Sequence, residues 1–185
     1  MEGFDLVLGP SILYTMTTSV LAPGEAGVVD RPHRDLDASR PDGIALAALV
    51  MVDGFTDRNG ATEFLLGTHR GAGTEHGADR FVLFGEAGDV CYFDPKGLHW
   101  SHLNRADRPR RALLLLMVQP WMKQRFDVAQ MIDPRLVEAA SPSVRSRLGI
   151  DALPPGSVDE FNARRRRRPW TSVARGPAPR PRRLR

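Results

Sequence analysis

Up to Trp121 the apolar residues of this chain fall in short runs, the first of them rich in β-branched and aromatic side chains, closed by Gly, Pro, Asn and Asp, with almost no helical spacing. Residues 12–20 form the first such run and Pro23-Gly24 turns it. Residues 44–52 read as a buried strand, residues 57–60 as a polar turn, and residues 61–66, 81–84, 90–93 and 111–118 as further strands. Many short strands without intervening helices point to a sandwich or jelly roll. At 185 residues, 42% of them hydrophobic, there is material for one core and not for two. After Trp121 the period changes, and residues 127–140 and 143–148 are predicted to be helices packed outside the barrel or over its rim.

Chemistry enters at His33-Arg34-Asp35. In an extended segment alternate side chains share a face, so His33 and Asp35 can aim at one ion while Arg34 points away. A third ligand must come from elsewhere, and His99 and His102, three residues apart, both compete for that place. Two imidazoles and one carboxylate on one face of an octahedral metal suit non-haem Fe(II) and leave positions open. Cys91 is the single cysteine, so neither an all-thiolate site nor an intramolecular disulfide is available. A guanidinium near the site would hold an acidic co-substrate through two parallel bonds. Arg110 and Arg111 are both candidates, and apolar neighbours on either side leave periodicity unable to choose between them.

The context of these residues resembles the phytanoyl-CoA dioxygenase family of Fe(II)- and 2-oxoglutarate-dependent oxygenases over about residues 21–121. Four pieces occur in the family's order. Pro23-Gly24-Glu25 leads into His33-Arg34-Asp35, and Asn59-Gly60-Ala61-Thr62 runs on to Gly67-Thr68-His69-Arg70. Gly88-Asp89 then opens a strand, and His99 precedes Asn104 and Asp107-Arg108-Pro109-Arg110. The resemblance implies an all-β, cupin-like double-stranded β-helix with peripheral C-terminal helices. It also implies His33, Asp35 and His99 as iron ligands, and Arg110 as the partner of the distal carboxylate of 2-oxoglutarate with Ser101 in support. The expected activity is hydroxylation of a small organic molecule with O2, giving succinate and CO2. Retention of Asp35 fits hydroxylation, because relatives that halogenate carry a small residue there.

Other motifs take plainer readings. His69 is expected to anchor its turn, and His76, in a Gly-rich stretch, to be solvated. His-Arg-Asp-Leu also occurs in protein kinases, but Arg40 stands where their Asn belongs and no Asp-Phe-Gly occurs. The apolar runs are too short for a membrane span, and acidic Glu2 and Asp5 with Gly9-Pro10 do not make a secretory signal, so the expected location is cytoplasmic.

Ten of the 26 basic residues and none of the 22 acidic ones lie in residues 164–185, so the formal net charge of +4 belongs to this Arg- and Pro-rich tail. The domain boundaries expected are therefore 1–163 for the oxygenase fold, helical from about 122, and 164–185 for a disordered tail. Two further readings stand beside the oxygenase. One is a shortened or catalytically defective member of the same fold, since relatives carry a longer region ahead of the histidine motif. The other is a nucleic-acid-associated protein using the tail, for which no base-stacking aromatic set is present beyond non-specific charge. Oligomeric state is not encoded in any of these features.

Overall fold

The computed structural model describes residues 2–27, 31–71, 75–150 and 156–167. Seven strands make two antiparallel sheets. The larger has the order β1 (Ile12–Leu21), β7 (Arg110–Val118), β2 (Ala45–Met51), β5 (Val90–Phe93). The smaller has β4 (Arg80–Val82), β3 (Thr62–Leu65), β6 (His99–Ser101). Apart from β3 and β4, neighbours in the sheets are not consecutive in sequence, so the chain crosses repeatedly between layers, as the expected double-stranded β-helix requires.

Alternation along β2 explains why every residue but Val50 is buried. Ala45, Ala47, Leu49 and Met51 face the smaller sheet, where Leu49 and Met51 pack with Phe55, Ala61, Phe64, Leu83 and Ala112. Leu46 and Ala48 face the other way, against Phe4 and Leu8 of a helix, α1 (Glu2–Leu8). That helix was not foreseen. Seven residues are too few to hold a helix by propensity alone, and burial of Phe4 and Leu8, about 1.5–3 kcal/mol each, supplies what the local sequence lacks. Gly9, in the left-handed region, closes it by donating its N–H to the Asp5 carbonyl.

The helix expected over residues 127–140 is broken in two, α2 (Val128–Met131) and α3 (Pro134–Ala139). Pro134 forces Asp133 out of the helical region, and Asp133 then caps α3 by accepting from the Arg135 N–H. α4 (Pro142–Arg147) begins one residue earlier than expected, behind the cap of Ser141. His99–Ser101, outside the strands expected from the sequence, forms strand β6.

The chain divides into two compact units, Met1–Ala152, which holds all seven strands, and Leu153–Arg185. In the second unit a helix, α5 (Val158–Arg167), takes in the first four arginines of the basic run; residues 168–185, most of the expected tail, lie outside the described residues. Among the described residues no helix is long and apolar enough to cross a membrane.

Candidate metal centre

The segment carrying His33 runs beside β6, and His33 and His99 exchange both backbone bonds, N to O 3.0 Å in each direction. Two residues on, the Asp35 and Leu36 N–H groups both donate to the Pro95 carbonyl, at 2.9 and 3.0 Å. The main chain thus sets three side chains converging. One imidazole nitrogen from each histidine and one Asp35 oxygen all lie within 4.8 Å of one another. Asp35 Oδ1 is 3.9 Å from His33 Nε2, and Asp35 Oδ2 is 3.6 Å from His99 Nε2.

Hydrogen bonding selects the tautomers this arrangement needs. His33 Nδ1 bonds the Arg31 carbonyl at 3.2 Å and His99 Nδ1 bonds the Gly97 carbonyl at 3.0 Å, so each ring carries its proton on Nδ1 and turns a bare Nε2 toward the carboxylate. Burial pushes the His99 imidazolium below its ordinary range, against the opposing pull of Asp35, which keeps the ring neutral near pH 7. Phe64 and Phe93 wall this histidine, at centroid distances of 5.6 and 5.1 Å. Two neutral nitrogens and one carboxylate oxygen, partly shielded by aromatic rings, form a donor set suited to a divalent first-row metal.

The cluster opens into a cavity of about 510 Å³ between the sheets, bounded also by Thr18, Leu49, Thr62 and Leu114. Arg110, at the start of β7, lines the same cavity and is 1% exposed. Its Nη2 donates to Ser101 Oγ at 3.2 Å, its guanidinium lies 4.3 Å over the Phe55 ring, and its Nε finds no hydrogen-bond partner among the described residues. Burial pushes its ionisation down to about 10, with Asp53 pulling the other way. Arg111 points outward and pairs with Asp53 through Nε and Nη2, at 2.8 and 2.7 Å. The strand pleat therefore decides what periodicity left open. Arg110 faces the cavity and Arg111 faces solvent.

His102 does not join the cluster. Its Nε2 lies 2.7 Å from Glu63, a buried carboxylate that also binds Arg80, whose guanidinium covers Trp100 at 5.1 Å. Glu63 pairs with Trp100 across β3 and β6, one residue out of phase with Thr62 and Ser101, so this group occupies the opposite face of the small sheet. His69 sits in the short helical turn Thr68–Arg70, and His76 is exposed. Phe55, Phe64 and Phe93 went unnoticed in the sequence. The alternation of β5 places Phe93 inward and signals it in retrospect, whereas Phe55 lies outside the strands, in an isolated bridge to Gly85, and carries no periodic signal.

Comparison with known proteins agrees with this architecture. Among solved structures the chain is similar to EvdMO1 (24% identity, TM-score 0.57, over 64% of this chain and 30% of that one). It is also similar to AviO1 from Streptomyces viridochromogenes Tue57 (20%, TM-score 0.58, 66% and 57%). A third is SnoN, a non-heme alpha ketoglutarate dependent epimerase from nogalamycin biosynthesis (23%, TM-score 0.55, 63% and 50%). The chain thus spans between 30% and 57% of the length of these proteins. The family model for Phytanoyl-CoA dioxygenase (PhyH) matches residues 5–112, more than half of the sequence. On this match the chain belongs to the phytanoyl-CoA dioxygenase family of non-haem iron oxygenases.

Proposed function

We propose that this chain is an Fe(II)- and 2-oxoglutarate-dependent dioxygenase that hydroxylates a small organic molecule, with His33, Asp35 and His99 holding the iron and Arg110, aided by Ser101, holding the co-substrate. The observation that carries the reading is one cavity containing both a convergent His-His-Asp set and a buried guanidinium with an unsatisfied donor. A buried cation without a carboxylate partner is costly, and a dicarboxylic acid entering the cavity would supply that partner. Fe(II) with 2-oxoglutarate and O2 provides the oxidising power for attack on an unactivated C–H bond, with succinate and CO2 as products.

The protein's own part is positional. Arg110 fixes the far end of the co-substrate through charge-assisted bonds, and Ser101 keeps the guanidinium turned toward the cavity. Phe64 and Phe93 hold the His99 ring and keep water from its flank. The Gly97 and Arg31 carbonyls retain the Nδ1 protons, so neither imidazole can present the wrong nitrogen. Thr17, Thr18 and Val20 of β1, an edge strand of the larger sheet, line the same cavity and would contact a substrate held there.

Purified protein reconstituted with Fe(II) should release succinate from 2-oxoglutarate in an O2-dependent manner even without its substrate. A second reading is a barrel of the same fold that binds metal and co-substrate but does not turn over. Stoichiometric binding of Fe(II) and 2-oxoglutarate with no succinate would favour it over the first.

A further inference from the structure

Arg34 stands between two of the proposed ligands, and the pleat turns it away from them, into a region the oxygenase chemistry leaves unused. There the side chain is 14% exposed, and its guanidinium makes three bonds to three segments. Nη1 donates to the Thr68 carbonyl at 2.5 Å and to the Lys96 carbonyl, and Nη2 donates to Glu75 Oε1 at 2.7 Å. Those partners are 34, 62 and 41 residues away in sequence.

Two of the bonded segments carry or brace a ligand. Lys96 lies between Pro95, whose carbonyl receives the Asp35 N–H, and Gly97, whose carbonyl fixes the His99 ring. Thr68, fully buried, accepts from the Leu98 N–H through its hydroxyl at 2.8 Å and donates that hydroxyl to the Leu65 carbonyl at 2.7 Å. The residue immediately before His99 is therefore held by Thr68, and Thr68 is held by Arg34. Lys96 is anchored a second time by its ammonium on Asp42.

We propose that Arg34 is a positioning residue for the metal centre: from behind the cluster it locks residues 95–99 against the His33–Asp35 segment and so sets the separation of Asp35 and His99. The inference rests on the iron-site reading given above. A planar guanidinium can bridge two carbonyls and a carboxylate at once, whereas an ammonium on a flexible stem cannot hold all three in one plane. Loss of a supporting group behind a metal site typically weakens metal binding about 10–100-fold.

Co(II), used as a spectroscopic stand-in for Fe(II), tests this on the intact chain through its visible absorption, with thermal unfolding of the metal-free protein measured alongside. Arg34→Met is expected to weaken Co(II) binding about 10–100-fold, and Arg34→Lys to fall between it and the wild type. Millimolar methylguanidinium should restore part of the affinity lost in Arg34→Ala. Arg147→Met serves as the control, because it removes a partly buried arginine that binds Ser11 and Asp5 away from the cluster. It should lower the unfolding temperature and leave the Co(II) Kd unchanged. Wild-type affinity in Arg34→Met overturns the proposal, as does an equal loss in Arg147→Met. Should Arg34→Met fail to fold, wild-type affinity in Arg34→Lys overturns it equally. A wild-type protein that binds no stoichiometric Co(II) sinks the iron-site reading itself, an outcome distinct from tight wild-type binding that Arg34 does not influence.

Discussion

Replacing Arg110 with Met should make the ligand-free protein more stable while removing most of its affinity for 2-oxoglutarate. Burial lowers the ionisation of Arg110 from its ordinary value to about 10, which amounts to on the order of 3 kcal/mol of unfavourable burial for the cation at neutral pH. Methionine would relieve that cost and forfeit the stacking on Phe55 and the bond to Ser101, together about 2 kcal/mol. The net gain is about 1 kcal/mol, a rise of roughly 2–4 °C in Tm for a chain of this size. Against that, truncating one side of a buried charge pair costs about 2–5 kcal/mol of binding, about 30-fold to several thousandfold in Kd. Thermal unfolding of the ligand-free protein and anaerobic calorimetric titration of 2-oxoglutarate into the Co(II) form measure the two effects separately. Wild-type affinity in Arg110→Met, or a Tm several degrees lower, would refute the reasoning. The pH dependence follows from the same residue. From about pH 10 upward to the ordinary arginine range the unfolded chain holds the Arg110 proton more often than the folded one, so this residue makes stability rise with pH there, while affinity for the dicarboxylate declines.

Asp35→Ala should abolish succinate release and, in the metal-free protein, move the His99 titration further down, because the Asp35 charge now holds it up; an unmoved His99 signal by NMR rejects the geometry. Gly60 has φ +79°, and a Cβ there would lie 2.6 Å from the His102 carbonyl oxygen, so Gly60→Ala should cost about 1–3 kcal/mol in denaturant unfolding, and a neutral result would contradict the turn described. The Lys96 ion pair holds the Asp42 carboxyl below its usual range, so its contribution to stability is present above pH 3.8 and fades as the pH falls through the lower folded value. The difference in Tm between wild type and Asp42→Asn should accordingly shrink toward about pH 2, and an equal difference there and at pH 7 would dismiss the pair.

What could be read from the sequence was whatever repeats or punctuates locally. Residues 44–52 and 111–118 announce themselves as buried strands because short apolar runs bounded by turn residues have few alternatives, and both lie at the centre of the larger sheet. His33 and Asp35 were visible as a pair because their spacing fits a single face of extended chain. The choice of Arg110 over Arg111 was not visible locally, since the burial of β7 alternates only at its start and is continuous thereafter. Short elements held by tertiary contact, α1 and β6, gave no periodic signal. Arg34 was assigned only a direction. Its three partners are brought to it by the fold, and nothing in the neighbouring residues indicates that the guanidinium would bridge three segments.

The reciprocal backbone bonds between His33 and His99 have a thermodynamic corollary. The entropy of closing the long loop between these residues is expended when the sheets assemble, before any ion arrives. Metal capture should therefore be rapid and accompanied by little ordering, and stripping the ion with a chelator should leave a folded apoprotein ready for reloading, unlike small zinc domains, whose folding and metallation are one event.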